Sequence, residues 1–283
     1  MLTSQPCTYA SLTSPELQVW ADRLRPMWDP QGTDPRATMI HRKMWEWLYI
    51  CEALWRAGML APGRRGLGFG VGREPLVALF ASMGCEVVAT DLDPERASAA
   101  GWTESGQEYS GGAAGLNEAG LCPKDEFEQR VRYRNVDMNE VPADLVGFDF
   151  TWSSCAFEHL GSLAAGADFV VRQMDCVGPG GIAVHTTELN VSSDEDTVES
   201  GATVLYRRRD INELVVRLRR LGYLIECDLT EGNAPADQHV DVPPFSDTHL
   251  RTVLGDYVTT SVGLVIGKPS KRRRNAVRRM FGR

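Results

Sequence analysis

Between Gly66 and Glu74 the chain reads GLGFGVGRE, with glycines at 66, 68, 70 and 72. Glycine costs roughly 0.5–1 kcal/mol against alanine inside a helix or strand. Four at alternate positions therefore imply that something approaches this backbone too closely for side chains. An acid, Asp91, ends the next apolar run, EVVATD, 23 residues after Gly68. A glycine-rich turn from a strand into a helix lets backbone N–H groups close on a nucleotide-like ligand, and an acid ending the following strand receives ribose hydroxyls. A second reactive pair, Glu158-His159, follows the apolar run FDFTWSS. Histidine is the side chain best suited to take a proton near neutral pH. Glu158 would act as a base itself or orient His159; the alternative for both is a structural role at the start of a local helix.

Other titratable groups read differently. His185, inside AVHTTE, is expected to point into the core. Asp237, His239 and Asp241 offer ligands for a divalent cation, but their spacing is not diagnostic and a solvated loop is the expectation. The seven cysteines contain no CxxC pair and fit neither a zinc nor a disulfide framework, so they read as reduced buried thiols and no metal is assigned.

The elements that must position these groups follow from periodicity and punctuation. SPELQVWADRL predicts a helix capped by Ser14 with Pro15 in its first turn. A stronger helix is predicted over Ala37–Ala57, with Met44, Trp47, Leu48, Cys51, Leu54 and Trp55 at helical spacing and Gly58 as its stop. From Gly66 onward strands alternate with helices: RRGLGFG, a helix over Glu74–Met83, EVVATDLD, a Gly/Ala/Ser-rich insertion over 97–120, a helix near Lys124–Gln129, then VRYRNVD, FDFTWSS and GGIAVHTTEL. The helix DINELVVRLRRLG carries Asp210 and Glu213 as a capping-box variant and Gly222 as terminator. YLIECDLT and YVTTSVGLVIGK are expected to be the last two strands. This alternation implies a mostly parallel sheet with helices on both faces.

The 283 residues, 43% hydrophobic and 24% charged, have an ordinary globular composition. No apolar run is long enough to span a bilayer and the N-terminus lacks a signal-peptide pattern, which reads as cytoplasmic. The net charge of −8 conceals a basic tail: from Lys268 onward there are lysines and arginines and no acid. The acidic body argues against nucleic-acid binding. The tail would either form a basic helix with Val277, Met280 and Phe281 on one side, suited to an anionic membrane surface or an acidic partner, or be a solvated end.

The dinucleotide pattern G-x-G-x-x-G fails here, because its third glycine falls on Arg73 counted from Gly68 and on Val71 counted from Gly66. G-x-G-x-G at Gly68, Gly70 and Gly72 instead resembles the first motif of the class I S-adenosylmethionine-dependent methyltransferases. VGPGGIAVHTTE resembles that family's turn into its fifth strand, and FDFTWSSCAFEHLGSL its methyl-transfer motif. The resemblance implies a Rossmann-like, mostly parallel seven-stranded α/β sheet, with an N-terminal helical extension over 1–60, the methyltransferase domain over 61–268 and the tail over 269–283. It implies S-adenosyl-L-methionine as cofactor, held by Gly68, Phe69, Gly70 and Gly72, with Asp91 on the ribose hydroxyls and Leu92 against the adenine. Asp137 would contact the adenine amino group with Met138 beside it, and Ser153 would lie near the cofactor at the end of strand four.

One departure stands out. The family's acid two residues before the first motif glycine is replaced here by Gly66, so Glu74 is expected to take its place, or else Arg42 or Lys43 to hold the cofactor carboxylate. The function expected is O-methylation of a sugar, glycan or small-metabolite hydroxyl with His159 as base; Trp102 and Tyr109 are candidates for a wall against the acceptor. The competing expectations are a non-catalytic cofactor-binding scaffold docked through its tail and, further off, a nicotinamide-dependent oxidoreductase.

Overall fold

The computed structural model describes residues 2–29, 40–93, 95–96, 112–246 and 248–270. Trp102, Tyr109 and the tail beyond residue 270 lie outside the described residues. The central sheet has nine strands: β1 (Gln5–Pro6), β2 (Arg65–Phe69), β3 (Glu86–Asp91), β4 (Val131–Asn135), β5 (Phe148–Ser154), β6 (Val177–Asn190), β7 (Val240–Asp241), β8 (Arg251–Leu254) and β9 (Tyr257–Gly267). Their order is β7-β8-β9-β6-β5-β2-β3-β4, with β1 also on β9. The run from β6 to β4 is parallel, whereas β9 is antiparallel to β6, β8 and β1.

β2 explains two of the four alternating glycines. Gly66 pairs with Phe150 and Gly68 with Trp152 on β5. A Cβ on Gly66 would stand 2.4 Å from the Phe150 ring, and one on Gly68 2.5 Å from the Trp152 ring. These glycines make room for aromatic side chains of the neighbouring strand, not for a ligand. Phe80 packs edge-on against both rings, at 5.7 and 5.1 Å. On the opposite face Leu67 and Phe69 enter a second buried cluster, with Phe69 edge-on to Phe169 at 5.1 Å. Successive strand residues face opposite ways, so one short strand serves both cores.

Several expected boundaries shift. The helix α1 (Pro15–Leu24) is capped by Ser14 as its sequence implies. The helix α2 (Arg42–Arg56) starts at Arg42 instead of Ala37, because Ile40–His41 pair in parallel with Thr248–His249 and the His41 ring then accepts the Lys43 N–H at 3.0 Å. The helix α3 (Leu76–Ser82) starts after Glu74, whose N–H donates to the Val71 carbonyl in a turn. In the helix Arg208–Arg220 the cap is Arg207, and Asp210 accepts its N–H from inside the first turn.

The sheet has nine strands where seven were expected, and YLIECDLT is not one of them. Leu224 and Cys227 form only isolated bridges, to Gly267 and Ser4. The open side of β9 is shared instead among β8, β1 and Leu224, which leaves no continuous ladder for residues 223–230. β1 also ties the N-terminal segment into the sheet. Trp45 and Tyr49 of α2 belong to the same buried cluster as Phe80, Phe150 and Trp152. Gly263 admits the Tyr49 ring, since a Cβ there would be 2.2 Å from it. No helix among the described residues is long and apolar enough to cross a membrane.

Gly68→Ala should therefore destabilise the fold by about 1–3 kcal/mol through overpacking against Trp152. A lower urea midpoint with an unchanged slope is the expected result.

Candidate active site

A cleft of about 810 Å³ opens beyond the carboxyl ends of the parallel strands, where the connections diverge between β2 and β5. Gly70 and Gly72 line it at φ +56° and +49°, a left-handed backbone that favours glycine. A Cβ on Gly70 would also lie 2.9 Å from the Ala156 Cβ and 3.2 Å from the Met138 sulfur. The glycine pair at the loop thus has a different cause from the pair in the strand.

Asp91 closes β3 against this loop. Its Oδ2 accepts the Gly72 N–H at 2.9 Å and its Oδ1 the Leu92 N–H at 2.8 Å. Burial pushes its carboxyl up to about 6, although both hydrogen bonds favour the ionised form. Leu92, Asp137 and Met138 line the same side. Asp137 accepts the Asn139 N–H at 2.8 Å and forms an ion pair with Arg96.

Glu74 also lines the cleft, yet it is 7% exposed and accepts the Trp152 indole N–H at 2.5 Å. Burial pushes it up to about 8, against the pull of the indole hydrogen bond and of Lys43.

The opposite wall holds Glu158 and His159 on a short 3₁₀ turn after β5. The His159 Nδ1 stands 2.9 Å from the Ala202 carbonyl and 3.2 Å from the Thr203 hydroxyl. A carbonyl can only accept, so in the neutral ring Nδ1 carries the proton and Nε2 holds the lone pair. Glu158 is fully buried; its Oε2 accepts the Thr187 hydroxyl at 3.0 Å. Burial raises its carboxyl above the usual range.

Helix α2 supplies part of the cleft. Lys43 and Trp47 line it; Lys43 is paired with the buried Glu46 at 2.7 Å, and Glu46 also accepts hydroxyls of Ser154 and Ser261. Arg42, the other expected carboxylate ligand, is instead ion-paired with Glu188 at the cleft.

Three expected cofactor residues lie elsewhere. Gly68 and Phe69 face the two cores, and Ser153 is buried with its hydroxyl 2.8 Å from the His185 Nδ1. His185 is itself fully buried, and burial lowers it to about 3. Of Asp237, His239 and Asp241, Asp237 stands apart, accepting the Tyr9 and Ala234 N–H groups; Asp241 accepts from His249 at 2.6 Å and lies 3.8 Å from the His239 Nε2. Sequence reasoning missed Cys155 and Glu188. The acid in HTTEL, the only titratable side chain in that strand besides its histidine, was the available signal for Glu188.

Comparison of the sequence with protein-family models and with curated proteins gives no match. Among solved structures the chain is similar to a glycopeptide N-methyltransferase (TM-score 0.47, 14% identity, 83% of this chain and 100% of that one). It is also similar to the magnesium protoporphyrin IX methyltransferase of Synechocystis PCC 6803 with bound SAH (0.45, 10%, 88% and 94%). A third is the phosphoethanolamine N-methyltransferase 2 of Haemonchus contortus in complex with S-adenosyl-L-methionine (0.45, 17%, 79% and 53%).

Glu74 keeps its proton in the folded chain up to about pH 8 but releases it near 4.5 when unfolded. The folded state then binds one more proton at this group across that window, so its contribution to stability falls as pH rises, by up to about 1.4 kcal/mol per unit. His185 and His41, both lowered by burial, give the opposite slope near pH 6.5, so the measurement is the stability difference between wild type and Glu74→Gln in urea, which should fall with this slope between pH 6 and 7.5.

Proposed function

We propose that this chain is an S-adenosylmethionine-dependent methyltransferase that methylates a hydroxyl of a small metabolite or glycan. The observation that carries the reading is Asp91: a buried carboxylate at the end of the second parallel strand, bonded to the N–H of the positive-φ Gly72. It combines an acid placed for a ribose with a loop whose side chains are absent where a ligand would lie. The cofactor fits the residues present. Gly70 and Gly72 would carry its methionine part, Asp91 its ribose, and Leu92 and Met138 its adenine, with Asp137 toward the adenine amino group. Lys43, on the cleft and paired with Glu46, is the residue for the cofactor carboxylate.

Bound there, S-adenosylmethionine supplies a methyl group already activated by its sulfonium. The chain's task is to hold the acceptor oxygen in line with that methyl, which alone contributes about 7–11 kcal/mol. The proton that the acceptor hydroxyl loses on methylation would pass to the His159 Nε2. The Ala202 carbonyl fixes the tautomer that leaves this nitrogen basic. Glu158, adjacent and buried, stabilises the imidazolium that results. Trp47, half-buried on the same cleft, offers a face for an apolar or sugar-like acceptor body.

Calorimetry should detect S-adenosylmethionine and S-adenosylhomocysteine but not a nicotinamide dinucleotide, and Asp91→Ala should weaken both by about tenfold or more, the worth of one charge-assisted hydrogen bond. His159→Ala and His159→Gln should each lower kcat by roughly 10²–10⁴-fold with cofactor affinity unchanged. Nicotinamide binding without adenosyl binding rejects the methyltransferase reading; turnover within a few-fold of wild type in both histidine variants rejects the base.

A further inference from the structure

Where α2 meets the ends of β5 and β6, the buried charges leave one carboxylate over. Lys43 is paired with Glu46 and Arg42 with Glu188. Glu158 forms no ion pair with a lysine or arginine among the described residues, and its Oε1 is buried without a hydrogen-bond partner. Burial favours the neutral form of this carboxyl, and its unsatisfied oxygen still costs about 1–3 kcal/mol. The Cys155 Sγ and one carboxylate oxygen from each of Glu158 and Glu188 lie within 4.8 Å of one another. Cys155 is the only non-glycine residue at positive φ among those described, at +45°, a backbone conformation that costs about 1–2 kcal/mol. Its N–H is held in that bend by the Thr186 carbonyl and hydroxyl, both at 3.1 Å. All three residues line the cleft.

We propose that Cys155, Glu158 and Glu188 bind a divalent cation, zinc by the chemistry of its donors, at the acceptor end of the cleft. A thiolate with two carboxylates suits zinc, whereas magnesium and calcium take all-oxygen sets. Zinc bonds of about 2.3 Å to sulfur and 2.0–2.2 Å to oxygen place donors about 3.5 Å apart, so side-chain rotation has to close the triad by little more than an ångström. Arg42 occupies one oxygen of Glu188 and leaves the other for the ion. On binding, the Cys155 sulfur forms the metal bond and its thiol proton leaves to solvent. The ion's two charges then balance the thiolate and the unpaired Glu158. Lys43 and Arg42 stand nearby and limit the affinity. Three protein ligands leave a fourth position open toward the cleft, as in catalytic zinc sites, where an acceptor oxygen would bind. That last role rests on the methyltransferase reading; the site itself does not.

The full chain, without cofactor, is titrated with zinc and with cobalt, and the metal retained after gel filtration is counted. The expected result is about one ion per chain, about one to two protons released per ion from the Cys155 thiol and the Glu158 carboxyl, and a thiolate-to-cobalt charge-transfer band. Cys155→Ser should abolish that band, and Glu158→Gln should lower affinity by about tenfold or more. His239→Ala, at an exposed position outside the cleft, should change neither. No retained ion, or a cobalt spectrum of the wild type without the thiolate band, overturns the proposal whether or not the variants fold. So does an ion retained equally by Cys155→Ser and Glu158→Gln. Methyl transfer by metal-free chain would sink the ion's role at the acceptor alone; a metal-loaded chain that binds no S-adenosylmethionine would sink the methyltransferase reading alone.

Discussion

The seating of Trp152 on Gly68 is the constraint on which the rest of the site depends. The indole is fully buried over a residue with no side chain, with Phe150 over Gly66 beside it and Phe80 closing both edge-on. This fixes β2 against β5 at the point where the sheet's connections part. The same ring then reaches out of the core, because its N–H must find a partner when buried. It finds Glu74 in the loop that follows β2. A packing requirement in the sheet thereby becomes an anchor for the cleft-facing loop.

The opposite anchor of that loop is electrostatic. Asp91 holds the Gly72 N–H from the neighbouring strand, so the loop is pinned from both sides before any ligand arrives. Preorganised donors and acceptors of this kind need no rearrangement on binding. The wall facing them comes from α2, whose Glu46 gathers Lys43, Ser154 and Ser261 around one buried carboxylate. Lys43 and Arg42 offset the desolvation of Glu46, whose carboxyl stays below its ordinary range despite burial.

Much of this was legible before the structure, for identifiable reasons. The alternation of strands and helices, the Ser14 cap and the stops at Gly58 and Gly222 are local signals, and each stands where periodicity places it. Asp91, Asp137, Glu158 and His159 were legible because an acid or histidine just past a strand end has few places to go but the cleft. Phe69 and Ser153 were misplaced by the same logic applied one residue too early, since strand alternation turns them toward Phe169 and His185. The reason for Gly66 and Gly68 depends on which residues of β5 lie opposite, a register no local pattern carries. β1 and the broken edge of β9 are equally remote in sequence, two residues long in one case, and set by competition for a shared ladder. Cys155 and Glu188 meet only because β5 and β6 are neighbours.

The contacts between α2 and β9 join residues more than two hundred positions apart: Glu46 with Ser261, and Tyr49 with Gly263. A ribosome releases α2 long before β9 exists. During that interval Trp45, Tyr49 and the buried acid of this helix have no sheet to lie on, and loop closure over such a span is slow. The wall of the cleft is thus among the last parts of the molecule to be completed, and a nascent chain has no finished pocket until its final strand has emerged and zipped into place.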